Sequence, residues 1–363
     1  MKHLVSLFAV IMLLSACKKV MQEELLQSNI AAGSSNIKAA TSPGIAEDLQ
    51  PVPYTWGQLT IPSDLTSPVG QNKIIQVNGE TFCLVDAVNA IHQKVYKFNN
   101  STKKWERSND AFAERSNYRY WFSYQTKIYF GGGGPDYNKL ISVDVVTLAV
   151  DTLANFPGTK ITLSPACFVI GNKGYLTSGY EWISNIPQNH LWEYNFSTNR
   201  WVNKGNSPLG ARAGAIAMVV DNKAYMGLGY EEIILNGQKI NLCKNDWILY
   251  DPSSAYSIIK ASFPGGRRAY PKGFVIGSTP YVGFGAANFQ TEHYNNDDNC
   301  LYDLWKYNPS SNTWSQQANY PGGHTGWWRY FENNHLNGFS IGSTGYVTLE
   351  ALQEFWKFTN SPY

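Results

Sequence analysis

Two glutamates stand at matching places in this chain. Glu181 and Glu231 each close a Gly-Tyr-Glu triplet, and each falls six residues after an aromatic, Tyr175 and Tyr225. Arginines recur between such aromatics: Arg115 and Arg119, Arg212, Arg267 and Arg268, and Arg329. A carboxylate beside guanidinium groups can hold an anionic or polyhydroxyl ligand through charge-assisted hydrogen bonds. A carboxylate whose pKa is raised by its surroundings can also act as a general acid or base. The same residue types form ion pairs that bridge the units of a repeated fold, and both readings stand at this stage. The run from His324 to Phe331 adds Trp327 and Trp328 beside Arg329, a stacking platform suited to a sugar ring or an apolar peptide side chain. Part of that run must also serve as packing.

Other chemistries find little support. His190, His293 and His324 share no metal-ligand spacing, and residues 295–299 lack the alternating pattern and distal Glu of a calcium loop. A phosphate loop and Cys-x-x-Cys are missing from the sequence. The reading therefore expects no metal and no cofactor. Cys243 and Cys300 lie four and five residues before Trp247 and Trp305. In an oxidising compartment these nearly equivalent places predict a disulfide between two long loops. Cys83 and Cys167 fall inside apolar runs and are expected as buried thiols.

The elements that must position these residues repeat. An aromatic follows a tight turn and precedes a small-residue run at Phe82, Tyr129, Tyr175, Tyr225, Tyr281 and Tyr346, at spacings of 47, 46, 50, 56 and 65 residues. Such a period means copies of one supersecondary unit, none able to bury its apolar faces alone. In the copy from Ala211 to Pro264, Ala213–Val220 reads as a doubly buried strand, Asp221-Asn222-Lys223 as a turn and Ala224–Gly229 as a second strand. A long polar connection leads to a third strand at Asp246–Asp251, and a fourth runs from Tyr256 to Phe263. Four antiparallel strands per unit and six units give an all-β, six-bladed propeller. The last copy ends five residues after Phe358, while Tyr54–Pro62 has the Trp and closing Pro of an outer strand without a unit of its own. Joining both termini in one blade closes the ring.

The strand-c signature Trp-x-Tyr-[Asp/Asn] with a Trp nine residues after the first appears at Trp192/Trp201 and Trp305/Trp314. With the glycine that ends strand b, it resembles the kelch-repeat family, of which the galactose oxidase central domain is one member. Only Gly131–Gly134 keeps the family's glycine pair; Ser178-Gly179, Leu228-Gly229 and Phe284-Gly285 hold one glycine each. The copper ligand set of galactose oxidase is not recognisable here. Sialic acid mutarotases look like six-bladed kelch rings of similar length. That resemblance implies an enzymatic alternative with Glu231 or Glu181 and Arg212 or Arg267 as the catalytic groups.

At the N-terminus Lys2 and His3 precede an apolar run from Leu4 to Leu14, too short to span a bilayer and suited to a secretory signal. The ending Leu14-Ser15-Ala16-Cys17 resembles the bacterial lipobox, which implies lipidation at Cys17. The expected organisation is a signal peptide over 1–16, a lipidated flexible tether over 17–50, and the propeller over 51–363. A net charge of +2 with 15% charged residues gives no basic stripe for nucleic acid. The function expected is that of a monomeric, membrane-anchored binding propeller of the cell envelope. Its ligand would be a glycan or a protein, held where the b–c and d–a connections emerge by Arg115, Glu181, Arg212, Glu231, Arg267, Arg268, Trp327, Trp328 and Arg329.

Overall fold

Each of the six recurring aromatics lies in the second strand of a four-stranded antiparallel sheet and faces a residue of the first strand. The pairs are Ile75/Phe82, Phe122/Tyr129, Phe168/Tyr175, Met218/Tyr225, Phe274/Tyr281 and Phe339/Tyr346. All six second-strand aromatics are buried. The computed structural model describes residues 54–60, 72–86, 93–110, 120–132, 138–158, 161–163, 165–181, 186–287, 300–322, 336–349 and 354–359. Cys17 and the expected signal peptide and tether lie outside them.

The sheets follow one another as blades with strands a to d. Blade 1 is Asn72–Val77, Glu80–Asp86, Gln93–Asn99 and Lys104–Asp110; blade 2 is Tyr120–Tyr124, Lys127–Gly131, Leu140–Asp144 and Val150–Thr152. Blade 3 is Ala166–Ile170, Lys173–Thr177, Leu191–Asn195 and Arg200–Asn203; blade 4 is Ile216–Val220, Lys223–Gly227, Trp247–Asp251 and Tyr256–Ile259. Blade 5 is Lys272–Ile276, Thr279–Gly283, Leu304–Asn308 and Thr313–Gln316. Blade 6 is Leu336–Ile341, Thr344–Leu349 and Phe355–Thr359, completed by Thr55–Leu59 as its outer strand. Every a strand neighbours the a strands before and after it, blade 1 against blade 6 included, so six blades form a closed propeller.

The outer-strand tryptophans explain the signature. Trp201 packs tilted at 4.9 Å against its cross-strand partner Tyr194, and Trp314 at 4.7 Å against Tyr307. Their indole N–H groups donate to Ala154 and Ala261, carbonyls that leave the preceding blade. Trp56 does the same from the N-terminal strand: it faces Phe358 at 4.9 Å and donates to the Ala318 carbonyl of blade 5 at 2.9 Å. The terminal Asp or Asn of the signature caps the c–d turn. Asn99, Asp144, Asn195, Asp251 and Asn308 each accept backbone N–H bonds from the turn residues that follow. Blade 6 makes no such turn, and Thr359 stands at that register.

Blade 4 differs from the sequence reading at several points: its second strand ends at Gly227 rather than Gly229 and its fourth at Ile259 rather than Phe263. The first strand of blade 4 is shorter, with Ala213 held as an isolated bridge to Tyr230. The polar connection in that blade is a hairpin, Tyr230–Leu235 paired with Gln238–Cys243. Asn236 and Gly237 turn it with φ of 52° and 80°, the two left-handed residues that a tight hairpin turn requires.

Candidate functional site

The antiparallel order of each sheet brings its b–c and d–a connections out at one end of the ring. There strand b ends in a pair of left-handed residues: Ser178-Gly179 with φ of 63° and 97°, Leu228-Gly229 with 61° and 83°, Phe284-Gly285 with 59° and 84°. Glycine is required second, because a Cβ at Gly229 or Gly285 would strike the carbonyl of Ala213 or Ala269. The Gly179 N–H donates to the Arg212 carbonyl and the Gly229 N–H to the Arg268 carbonyl, both at 2.9 Å. Each arginine backbone is thus bonded to the blade behind it.

Their side chains reach the blade ahead. Arg212 Nη1 donates to the Leu228 carbonyl at 3.0 Å and to Asp246 at 2.7 Å. Arg268 donates to the Phe284 carbonyl at 3.0 Å, to both Asp303 oxygens at 2.6 and 2.9 Å, and to the Gly265 carbonyl, with its guanidinium 4.6 Å from the Phe263 ring. Arg212 is 7% exposed and Arg268 0%. The two are staples between consecutive blades, so this geometry holds the ring and leaves neither guanidinium open to solvent. Asp246 and Asp303 stand immediately before strand c, and Glu354 holds that register in blade 6, accepting from Tyr320 Oη at 2.9 Å and Trp356 Nε1 at 3.1 Å.

The glutamates are differently placed. Glu231 lies on the blade 4 hairpin opposite Leu242 and is ion-paired with Lys244, both partly exposed. Glu181 pairs in register with Ile161 and Ile186 and accepts from Gln188 Nε2 at 3.3 Å. The hairpin docks on blade 3 through Tyr180 Oη, which donates to Glu232 at 3.2 Å, while Glu232 also pairs with Lys239. Tyr180, Tyr230 and Tyr270 are buried beneath with Cys243. Arg267, next to the buried Arg268, is exposed, and so is His190. The structure therefore brings Glu181 and Glu231 to equivalent, partly open positions of neighbouring blades and assigns Arg212 and Arg268 to aspartates instead. Arg115, Trp327, Trp328 and Arg329, with Arg119, His293 and His324, lie outside the described residues.

The expected disulfide is absent, a correction to the sequence reading: Cys243 and Cys300 are both thiols. Cys243 precedes Lys244, which bridges to Arg268, and Ala269 bridges to Ala286, which bridges to Cys300. Three strand spacings of about 4.8 Å put the two α-carbons roughly 14 Å apart, twice the span a disulfide tolerates. Cys83 is buried, as expected, while Cys167 is only partly so; burial pushes both thiols up to about 12.

Sequence reasoning missed a cavity on the ring axis. It has a volume of about 370 Å³ and is lined from the a strands of all six blades, including Ile74, Trp121, Cys167, Met218, Lys272 and Gly338. In blades 2 to 5 the lining includes the first residue of each a strand, and in blades 3 to 5 the residue before it, which extends the cavity to the d–a end of the axis. Burial lowers the Lys272 amine from 10.5 to about 8. No sequence motif marks Lys272; ring closure alone places it on the axis.

No family model matches this sequence, and no curated protein matches it. Among solved structures, that of YjhT is similar at 15% identity with a TM-score of 0.50, covering 68% of this chain and 83% of its own. That likeness shows the fold, a six-bladed propeller, and nothing finer.

Proposed function

We propose that this chain is a ligand-binding propeller of the kelch type, lipid-anchored through Cys17 to the cell envelope, which holds a glycan or protein ligand on its b–c/d–a face. The observation that supports this reading most strongly is the axial cavity extending to the same face that carries the partly open Glu181, Glu231 and Lys244, the exposed Arg267 and the blade 4 hairpin. A few convergent polar groups around a concave space are the usual composition of a binding site. Trp327, Trp328 and Arg115 or Arg329 would extend the contact surface.

Sugar ring opening of the sialic acid mutarotase kind is the weaker reading. Its carboxylate would be Glu231 or Glu181, but Arg212 is already bonded to Asp246 and Leu228, and Glu231 to Lys244. A screen of glycans, sugar acids and peptides against residues 51–363, a unit of their own by backbone contacts, tests the proposal. Binding that is lost in Glu231→Ala or Arg267→Ala with the melting temperature unchanged is expected. Ligand turnover, or hits untouched by either substitution, would count against it.

A further inference from the structure

The outer strand of blade 4 is built unlike its equivalents. In blades 3 and 5 that strand is fastened to the preceding blade twice. The Trp201 and Trp314 indoles donate to the Ala154 and Ala261 carbonyls, and the Asn199 and Asn312 side chains accept the N–H groups of the same two alanines, both at 2.8 Å. Blade 4 has neither fastening. Ser257, opposite Tyr250, holds the register of the tryptophans, and Ala255 holds that of the asparagines, with a left-handed φ of 55° against their 52° and 55°.

What the strand presents instead is apolar. Tyr256, Ile258 and Ile259 are 60, 38 and 83% exposed, and Tyr256–Ile259 contains no charged residue. Lys104, Asp151 and Arg200 interrupt the outer strands of blades 1 to 3, and the exposed side chains of those in blades 5 and 6 are Thr, Ser and Gln. Charged side chains on an edge strand discourage pairing with another chain, and apolar ones invite it. The free backbone groups fix which pairing is possible. The Lys260 N–H donates inward to the Trp247 carbonyl and the Ala261 N–H outward to Asn312, both at 2.8 Å. By alternation Ser257 and Ile259 turn their N–H and C=O groups to the open edge, and Ile258 turns its own inward.

Two copies of this strand can therefore meet antiparallel with Ser257 opposite Ile259 and with Ile258 opposite its own copy on a two-fold axis. Each Ser257–Ile259 pair then exchanges both of its backbone hydrogen bonds. The same register sets Tyr256 beside Lys260 of the second copy, where an ammonium can lie on the ring, and opposes no like charges. We propose that two copies of this protein associate through the outer strand of blade 4, joining two blades into one continuous antiparallel sheet, in place of the monomer expected from the sequence. The contact is small. One short strand from each copy falls below the roughly 1,200–2,000 Å² of a stable interface, so the pair is weak, with a dissociation constant of roughly 10–100 µM. It uses no residue of the b–c/d–a face, and its test is independent of any ligand.

Sedimentation equilibrium of residues 51–363, the unit that holds the closed ring, at concentrations on both sides of that constant reads the association. Ile258→Lys, which opposes two ammonium groups on the axis, should weaken it at least about tenfold and leave the melting temperature unchanged. Cross-linking reads the register. Opposed residues that exchange no hydrogen bonds have α-carbons about 4.5 Å apart, inside the disulfide range. The full chain carrying Ile258→Cys, oxidised with copper phenanthroline, should therefore give a disulfide-linked dimer on a non-reducing gel beyond any that the wild type gives. Tyr256→Cys, whose two copies lie roughly 14 Å apart, should not. A monomer at every concentration overturns the proposal. So does a dimer that Ile258→Lys leaves intact, or one that Tyr256→Cys links as readily as Ile258→Cys. A monomer that floats with phosphatidylethanolamine–phosphatidylglycerol vesicles, and no longer does so with Ile258→Lys, overturns it in favour of a lipid surface on the same strand.

Discussion

Replacing Arg268 with Met should cost more stability than replacing any exposed arginine of the same face. The guanidinium is fully buried, donates to both Asp303 oxygens at 2.6 and 2.9 Å and to the Phe284 carbonyl at 3.0 Å, and lies over Phe263. Methionine fills much of the volume but removes every donor. Asp303 then keeps the Trp305 indole N–H at 2.6 Å as its one side-chain donor among the described residues. Leaving one partner of a buried pair behind costs about 3–5 kcal/mol, which for a domain of this size lowers the melting temperature by roughly 5–15 °C. Arg267→Ala, one residue away and exposed, should stay within about 0.5 kcal/mol. Adding Asp303→Leu to Arg268→Met should recover part of the loss, since an apolar pair in place of a buried ionic one is often neutral or better. Scanning calorimetry of the wild type, both single variants and the double variant closes the cycle. If Arg268→Met melts with the wild type, or the two changes add without coupling, Arg268 is not a staple and its burial has another cause.

Further outcomes follow from other parts of the ring. Lys272→Met should stabilise the protein at pH 7 by up to about 3 kcal/mol, the size of its shift from 10.5 to about 8. Because the folded pKa lies below the unfolded one, the penalty is full below pH 8 and fades as pH rises toward 10.5. Melting at pH 7 and pH 10 should therefore show the variant's advantage shrinking; a constant gap would contradict the assignment. Deleting residues 52–62 removes the outer strand of blade 6 and the Trp56 bond to Ala318, and should unfold or aggregate the domain, whereas deleting 18–42 should be silent by the same melting assay. Maleimide labelling in denaturant without reductant should modify Cys83, Cys167, Cys243 and Cys300 alike. Protection confined to Cys243 and Cys300 would restore the disulfide.

The propeller was legible because its strongest signal is local. An aromatic in each b strand, a Trp in the d strands of blades 1, 3, 5 and 6, and an Asp or Asn before the c–d turns of blades 1 to 5 report a strand, a cross-strand aromatic contact and a side-chain-capped turn within one copy. The missing outer strand of the last copy and the orphan Trp56 matched for the same reason. The site was legible in its residue types but not in their partners. Arg212 finds Asp246 and Arg268 finds Asp303 at separations of 34 and 35 residues, with carbonyl acceptors 16 residues on in both cases. That repeated offset is the signal of a staple, and the glutamates at the same end of the ring mask it in the sequence. Asn236-Gly237 is an equally readable hairpin turn inside the polar connection of blade 4. Lys272 had no such signal, since its surroundings come from all six blades and exist only once the ring has closed.

The central claim, a ligand held at the axial end of the b–c/d–a face, has a reporter built into the chain. Residues 51–363 contain two methionines, Met218, which lines the cavity, and Met226, buried in the core between blades 3 and 4. A methyl spectrum of methionine-labelled 51–363, recorded with each glycan, sugar acid or peptide found to bind, reads both at once. The account predicts that the Met218 resonance moves with ligand concentration while Met226 stays fixed. Saturable binding that leaves Met218 unmoved would put the ligand elsewhere on the ring and contradict it.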